Sequence, residues 1–179
     1  MLWVIISIVV VIIDQLTKRI VVENISMGER IPVIENFFYL TLHKNSGAAW
    51  GILQDGRLFF LIIIPIVSAI VIYSMIKNVN RLLRFSCALI LGGAVGNYID
   101  RLLEGKVTDF LLFYIGSYPF PIFNVADMAV TCGTILLAVF MLFVYKEPPK
   151  KEMLTDDNTQ VTKADKTSVK NQGEEKNAE

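Results

Sequence analysis

The stretch LFFLIIIPIVSAIVIYSMI, residues 58–76, decides the fold class, because it holds no Asp, Glu, Lys or Arg and is nearly unbroken apart from Pro65 and Ser68. Its length is close to the ~20 residues that cross a hydrocarbon core, and Pro and Ser are tolerated where neighbouring helices satisfy the freed backbone groups. Three further runs share the character. Met1 to Ile13 is apolar and continues through Asp14, Gln15, Thr17, Lys18 and Arg19 to Val22; Leu82 to Leu103 is less apolar toward its end; Ala126 to Tyr145 is again clean. Four membrane spans are expected. A signal peptide is the rival reading of the first run, but no Lys or Arg precedes the apolar stretch and no small-residue cleavage site follows it.

Composition agrees. The chain has 179 residues, 54% of them hydrophobic, and its 17 Lys and Arg balance 17 Asp and Glu, so no global field calls for nucleic acid. Seven of the basic and eight of the acidic residues lie in Lys146–Glu179, which leaves a body roughly 63% apolar against ~45–50% in soluble domains. A water-soluble globule is close to excluded. The segment after Pro148 and Pro149 is polar, mixed in charge and without periodicity, and residues 147–179 are expected to be a disordered tail. There is no internal repeat. Two Cys in apolar runs, Cys87 and Cys132, are expected near opposite faces of the membrane as free thiols.

Orientation follows from the connection Lys77 to Arg84, which carries Lys77, Arg81 and Arg84 and no acid. Such loops stay in the cytoplasm. Four spans then put both termini inside, in agreement with Lys146, Lys150 and Lys151, while Glu23–Arg57 and Glu104–Asn124 face outward. The first outer segment, residues 23–57, has turn formers (Asn24, Ser26, Gly28, Pro32, Asn36) and then an aromatic and β-branched stretch from Phe37 to Leu42, which predicts a few short strands on the membrane surface. The second contains Gly116, Pro119 and Pro121 and reads as a short loop.

Ionisable and amide groups in a span are costly and mark function by default. Asp14, Asn97, Asp100, Arg101 and Asp127 lie in or at the ends of spans, several toward the outer face. Each has a bland reading: Asp14 with Lys18 as an i,i+4 ion pair, Asp100 and Arg101 as an interfacial pair or anchor, Gly92, Gly93, Ala94 and Gly96 as close helix packing, Asn124 and Asp127 as an N-cap and its box. The last weakens because a second carboxylate, Asp109, stands at the other end of the same outer connection, and two acids flanking one loop can meet. The single His43, with no HExxH and no paired Cys, leaves too few ligands for a protein-held zinc, and its neighbours show no nucleophile elbow. A Ser-Lys pair stays open on sequence alone, although no Lys is expected within the apolar core. Carboxylates remain as the catalysts to expect, with no metal or cofactor.

Five blocks carry a resemblance. Asp14-Gln15-Leu16-Thr17-Lys18, Asn45-Ser46-Gly47-Ala48-Ala49-Trp50-Gly51, Gly92 through Arg101, Val107-Thr108-Asp109-Phe110 and Phe123-Asn124-Val125-Ala126-Asp127 resemble, in order and spacing, the bacterial signal peptidase II (lipoprotein signal peptidase) family. The resemblance covers about residues 1 to 146. It implies a four-helix transmembrane aspartic endopeptidase of the cytoplasmic membrane. Such an enzyme removes the signal peptide of prolipoproteins just before the Cys that carries a diacylglyceryl group. It places the catalytic pair at Asp109 and Asp127 and the substrate-binding or supporting set at Asp14, Asn45, Gly47, Asn97, Asp100, Arg101, Asn124 and Ala126. Thr108 stands where Val is usual and Met128 where Ser is usual.

Two close carboxylates in a poorly hydrated site share one proton, so one activates water while the other protonates the carbonyl oxygen. Asp127, near the positive end of a helix, is expected to be the ionised member more often. Asn45, Asn97 and Asn124 are expected to pair with substrate backbone, and Arg101 to hold Asp100 or a substrate carbonyl. The segment from Asn45 to Trp50 is expected to close over the substrate, with the diacyl chains in lipid. A monomer contacting membrane lipids is expected. The competing classes are a small proton-coupled transporter or channel and a structural subunit. A relay should cross the bilayer, whereas no acid occurs from Leu58 to Leu91 or from Met128 to Tyr145.

Overall fold

Each apolar run folds into a helix whose ends are set by local chemistry. Helix α1 spans Leu2–Asn24, α2 Arg57–Lys77, α3 Arg81–Leu103 and α4 Val125–Val139, the last continued by one π-helical turn, Phe140–Val144. The Asn80 side chain accepts from the Leu82 and Leu83 amides and starts α3, a cap worth about 1 kcal/mol. Arg84 donates to the carbonyls of Met75 and Asn78 and so covers the end of α2. The computed structural model describes residues 1–47 and 56–145; the expected tail at 147–179 and the positions Ala48 to Trp50 lie outside the described residues.

The helices are apolar on the outside. Along α1 Leu2, Ile5, Ile8, Ile12, Leu16 and Ile20 are exposed, and α2 buries only Met75 while Ile62, Ile66 and Ile70 face outward. Soluble bundles do the opposite. Among the described residues three helices are long and apolar enough to cross a membrane, Arg57–Lys77, Arg81–Leu103 and Val125–Val144, with mean hydropathies of 2.7, 1.4 and 2.2. Helix α1 matches them in length and carries Asp14, Lys18, Arg19 and Glu23 in its second half.

Small residues bring the backbones together. A Cβ on Gly133 would stand 2.8 Å from the Ser86 carbonyl oxygen, and one on Gly93 would collide with the carbonyl of Ala126, so α3 and α4 meet main chain to main chain. Cys87 is buried and Cys132 exposed, and both are free.

A four-stranded antiparallel sheet, β1 (Arg30–Ile34), β2 (Phe38–Asn45), β3 (Val107–Ile115) and β4 (Tyr118–Pro119), lies in that spatial order. The strands were expected within residues 23–57 alone; half of them come instead from the connection between α3 and α4. An isolated β1–β2 hairpin would leave the aromatic edge of β2 unpaired, and Val107-Thr108-Asp109-Phe110-Leu111-Leu112-Phe113-Tyr114-Ile115 has the β-branched and aromatic content to cover it. Phe38 stacks on Phe113 at 4.5 Å and Phe113 on Phe123 at 5.7 Å. The β2–β3 register sets His43 opposite Asp109, Lys44 opposite Thr108 and Asn45 opposite Val107, with a shift between Leu40 and His43. That pairing carries β3, and with it Asp109, to the polar ends of α1, α3 and α4.

Candidate active site

Beneath the sheet the bundle holds a dense polar cluster. Asp14 and Asn124 are fully buried, Asp109 is 1% exposed and Lys18 3%. Buried groups of this kind persist only when hydrogen-bonded, and among the described residues no buried side-chain nitrogen or oxygen lacks a partner.

Asn124 ends the loop and begins α4. Its Oδ1 accepts from the Asp127 amide at 2.9 Å, while Asp127 Oδ2 accepts from the Asn124 amide at 3.2 Å. The capping box is therefore real, and it leaves the Asn124 Nδ2 free to donate to Asp109 Oδ1 at 2.6 Å, with the Asn97 Oδ1 at 3.1 Å and the Thr108 carbonyl at 3.3 Å. One residue thus touches both acids. Asn45 Nδ2 donates to the other oxygen of Asp109 at 2.9 Å, and Asn97 Nδ2 to Asp127 Oδ1 at 2.7 Å. Burial, then the charge of Asp127, push the Asp109 carboxyl up to about 7, against the pull of Asn45, Asn124 and Lys18.

The supporting residues divide by what they hold. Asp14 Oδ1 accepts from the Ala126 amide at 2.9 Å, docking α1 on the first turn of α4, where a carboxylate is favoured. Its Oδ2 meets Lys18 Nζ at 2.8 Å, so the expected i,i+4 pair exists, though sealed from water. Lys18 also meets Asp100 Oδ2 at 3.0 Å and Asn97 Oδ1 at 2.9 Å. Ala126 has no exposed surface; its Cβ would be 3.3 Å from a Cβ on Gly96, and such a Cβ would stand 2.6 Å from Asp14 Oδ2.

Asp100 and Arg101 do not pair with each other, contrary to expectation. Asp100 faces Lys18, accepts from Gln15 Nε2 at 2.9 Å and from the Thr108 amide at 3.0 Å. Consecutive helical residues diverge by about 100°, so Arg101 points elsewhere. It donates to the Gly47 carbonyl at 2.9 Å and the Asn97 carbonyl at 3.3 Å, and lies over the Phe60 ring at 4.3 Å. Gly47 in turn donates to Asn45 Oδ1 at 2.9 Å.

All ten expected site residues lie in one connected region. Lys18 and Gln15 belong there too and were not in the expected set; no Lys was expected within the apolar core, but Lys18 is buried because Asp14, Asp100 and Asn97 satisfy its ammonium there. Thr108 turns its hydroxyl to Lys44 Nζ at 2.9 Å, and Lys44 also pairs with Glu104.

The family model for signal peptidase (SPase) II matches residues 6–143. The chain is 52% identical over 136 residues to the lipoprotein signal peptidase of Geobacillus kaustophilus (strain HTA426), covering 75% of this chain and 88% of that one. It is 47% identical over 144 residues to that of Bacillus pumilus (strain SAFR-032), covering 79% and 93%. A solved structure described as a bacterial membrane enzyme structure by the in meso method at 1.9 Å resolution superimposes with a TM-score of 0.73 at 41% identity, covering 80% of this chain and 94% of that one. A second, at 2.3 Å resolution, gives 0.73 at 39%, covering 83% and 94%. The family match runs through nearly all of the described chain and the relatives are lipoprotein signal peptidases, so this protein is a protease and the chain belongs to the signal peptidase II family.

Proposed function

We propose that the chain cleaves the signal peptide from diacylglyceryl-modified prolipoproteins immediately before the lipidated Cys, with Asp109 and Asp127 as an aspartic dyad. The names of the relatives carry the lipoprotein substrate. The observation that carries the mechanism is the junction at Asn124, whose side-chain NH2 donates to Asp109 while its main-chain amide donates to the Asp127 carboxylate and its side-chain oxygen accepts from the Asp127 main-chain amide.

Below about pH 7 Asp109 keeps a proton in this buried position. Asp127 takes a proton from water as the water oxygen bonds to the scissile carbonyl carbon, and Asp109 gives its proton to the carbonyl oxygen. In the second half Asp127 returns its proton to the amide nitrogen, the C–N bond breaks, and Asp109 recovers the proton as the carbonyl re-forms. The pair titrates as a unit.

In this reading all four helices span the bacterial cytoplasmic membrane with both termini inside, α1 being the fourth span because Asp14 and Lys18 are buried rather than presented to lipid, while the exposed Arg19 and Glu23 pair with each other near its C-terminal end. The basic residues Lys77, Arg81 and Arg84 support a cytoplasmic location for that end, and with it a dyad near the extracytoplasmic face beneath the sheet. The enzyme acts as a monomer, with the acyl chains of its substrate in the surrounding lipid.

Purified protein in detergent should release the signal peptide from a lipid-modified precursor without added metal. Asp109→Asn and Asp127→Asn should each lose about 10²–10⁴-fold in kcat while unfolding at a similar temperature. Turnover that survives in both variants rules out the dyad.

A further inference from the structure

Three asparagine side chains touch the two acids, and each amide is held in one sense by a group that can only donate. The Asn45 oxygen accepts from the Gly47 amide, the Asn124 oxygen from the Asp127 amide, and the Asn97 oxygen from the Lys18 ammonium. An amide whose oxygen is fixed in this way must turn its NH2 the other way. In all three cases the other way is a carboxylate: Asn45 and Asn124 toward Asp109, Asn97 toward Asp127. Two of the fixing donors are main chain. The third, Lys18, is a side chain: Asp14 and Asp100 hold it, none of its three short contacts is with Asp109 or Asp127, and its charge also favours the ionised form of Asp109.

We propose that Lys18 is a positioning residue for hydrolysis, acting through Asn97: its ammonium fixes the polarity of the Asn97 amide so that Asp127 always meets a donor. A flipped Asn97 would set its NH2 against an ammonium that has no acceptor and its oxygen against Asp127, two repulsive contacts in place of two hydrogen bonds. The three donors of Lys18 are used completely, on Asp14 Oδ2, Asp100 Oδ2 and Asn97 Oδ1. Asp14 and Asp100 hold the ammonium in place and aimed, which is how two carboxylates remote from the cleaved bond enter the reaction. Without Lys18 the Asn97 oxygen still accepts from Asn124 Nδ2, but that amide already serves Asp109 and Thr108. The polarity of Asn97 then depends on a shared, longer contact.

This inference rests on the dyad reading, and the experiment separates the two. kcat and KM are measured on the lipid-modified precursor for Lys18→Met, Asn97→Ala, the double variant, and Asp127→Asn as reference. Loss of one donor to a charged group corresponds to roughly 10- to 100-fold in kcat, expected for Lys18→Met and for Asn97→Ala, with KM within about threefold. Because Lys18 acts through Asn97, Lys18→Met should cost less than about threefold more in the Asn97→Ala background. Multiplying effects, a loss confined to KM, or an unimpaired Lys18→Met overturns the proposal. If Lys18→Met fails to fold because Asp14 and Asp100 are left unpaired, Lys18→Met with Asp100→Asn removes one charge of each sign and is put through the same cycle. An active Asp127→Asn would instead overturn the dyad.

Discussion

Replacing Asn45 by Ala should move the alkaline limb of the pH profile of kcat/KM toward higher pH by about one unit. Asn45 Nδ2 lies 2.9 Å from Asp109 Oδ2 and favours the charged form of that carboxyl, which burial and Asp127 otherwise hold up to about 7. A hydrogen bond to a charged group contributes about 1.5–3 kcal/mol and one to its neutral form about 0.5–1.5 kcal/mol, so the difference of about 1–1.5 kcal/mol corresponds to about one pH unit. The sign follows directly: without the donor the carboxylate is less favoured, Asp109 keeps its proton to higher pH, and the limb moves from about 7 to about 8. The assay is kcat/KM on the lipid-modified precursor from about pH 5 to 9, which reports ionisations of the free enzyme. The same group acts on stability. Its folded-state value is raised above the ordinary 3.8, so its contribution is complete below about 4 and is lost as pH rises through about 7, and the midpoint of thermal unfolding should fall over that window. A limb that stays in place or moves to lower pH in Asn45→Ala would refute the assignment of that limb to Asp109.

Gly96→Ala should destabilise the protein by about 1–3 kcal/mol and reduce turnover, because its Cβ would stand 2.6 Å from Asp14 Oδ2 and push that carboxylate from Lys18 and the Ala126 amide; thermal unfolding in detergent and kcat test this. Gly116→Ala, at φ +63 with nothing within 4 Å of the added carbon, should cost about 1 kcal/mol and leave turnover unchanged, which the same two measurements check. Thr108→Val removes an acceptor from Lys44, which retains Glu104, so stability should change by less than about 1 kcal/mol and kcat by less than about threefold; a tenfold loss would make the hydroxyl part of the site.

How much of this was legible in the chain can be judged residue by residue. The helices were, because long apolar runs admit few folds once backbone groups cannot turn to water, and the limits read from Leu58–Ile76 and Leu82–Leu103 lie within a residue or two of α2 and α3. Asp14, Asn97, Asp100, Asp109, Asn124 and Asp127 stand out in the sequence because acids and amides are conspicuous against such a background, whereas Asn45, Gly47 and Ala126 entered the candidate set only through the resemblance. The partner of Asp100 was not: adjacency suggested Arg101, and the true partner, Lys18, is 82 positions away. Nor was the second half of the sheet, since Val107–Ile115 reads as a strand only once β2 offers it an edge.

Local spacing and hydropathy are carried by neighbours along the chain, so the class of fold and the identity of the candidate acids needed nothing more than the order of residues. Which amide faces which carboxylate, and which cation neutralises which acid, depend on groups from α1, β2, β3, α3 and α4 arriving together. A hydrogen bond has a direction and a reach of about 3 Å, and no pattern in one dimension encodes either.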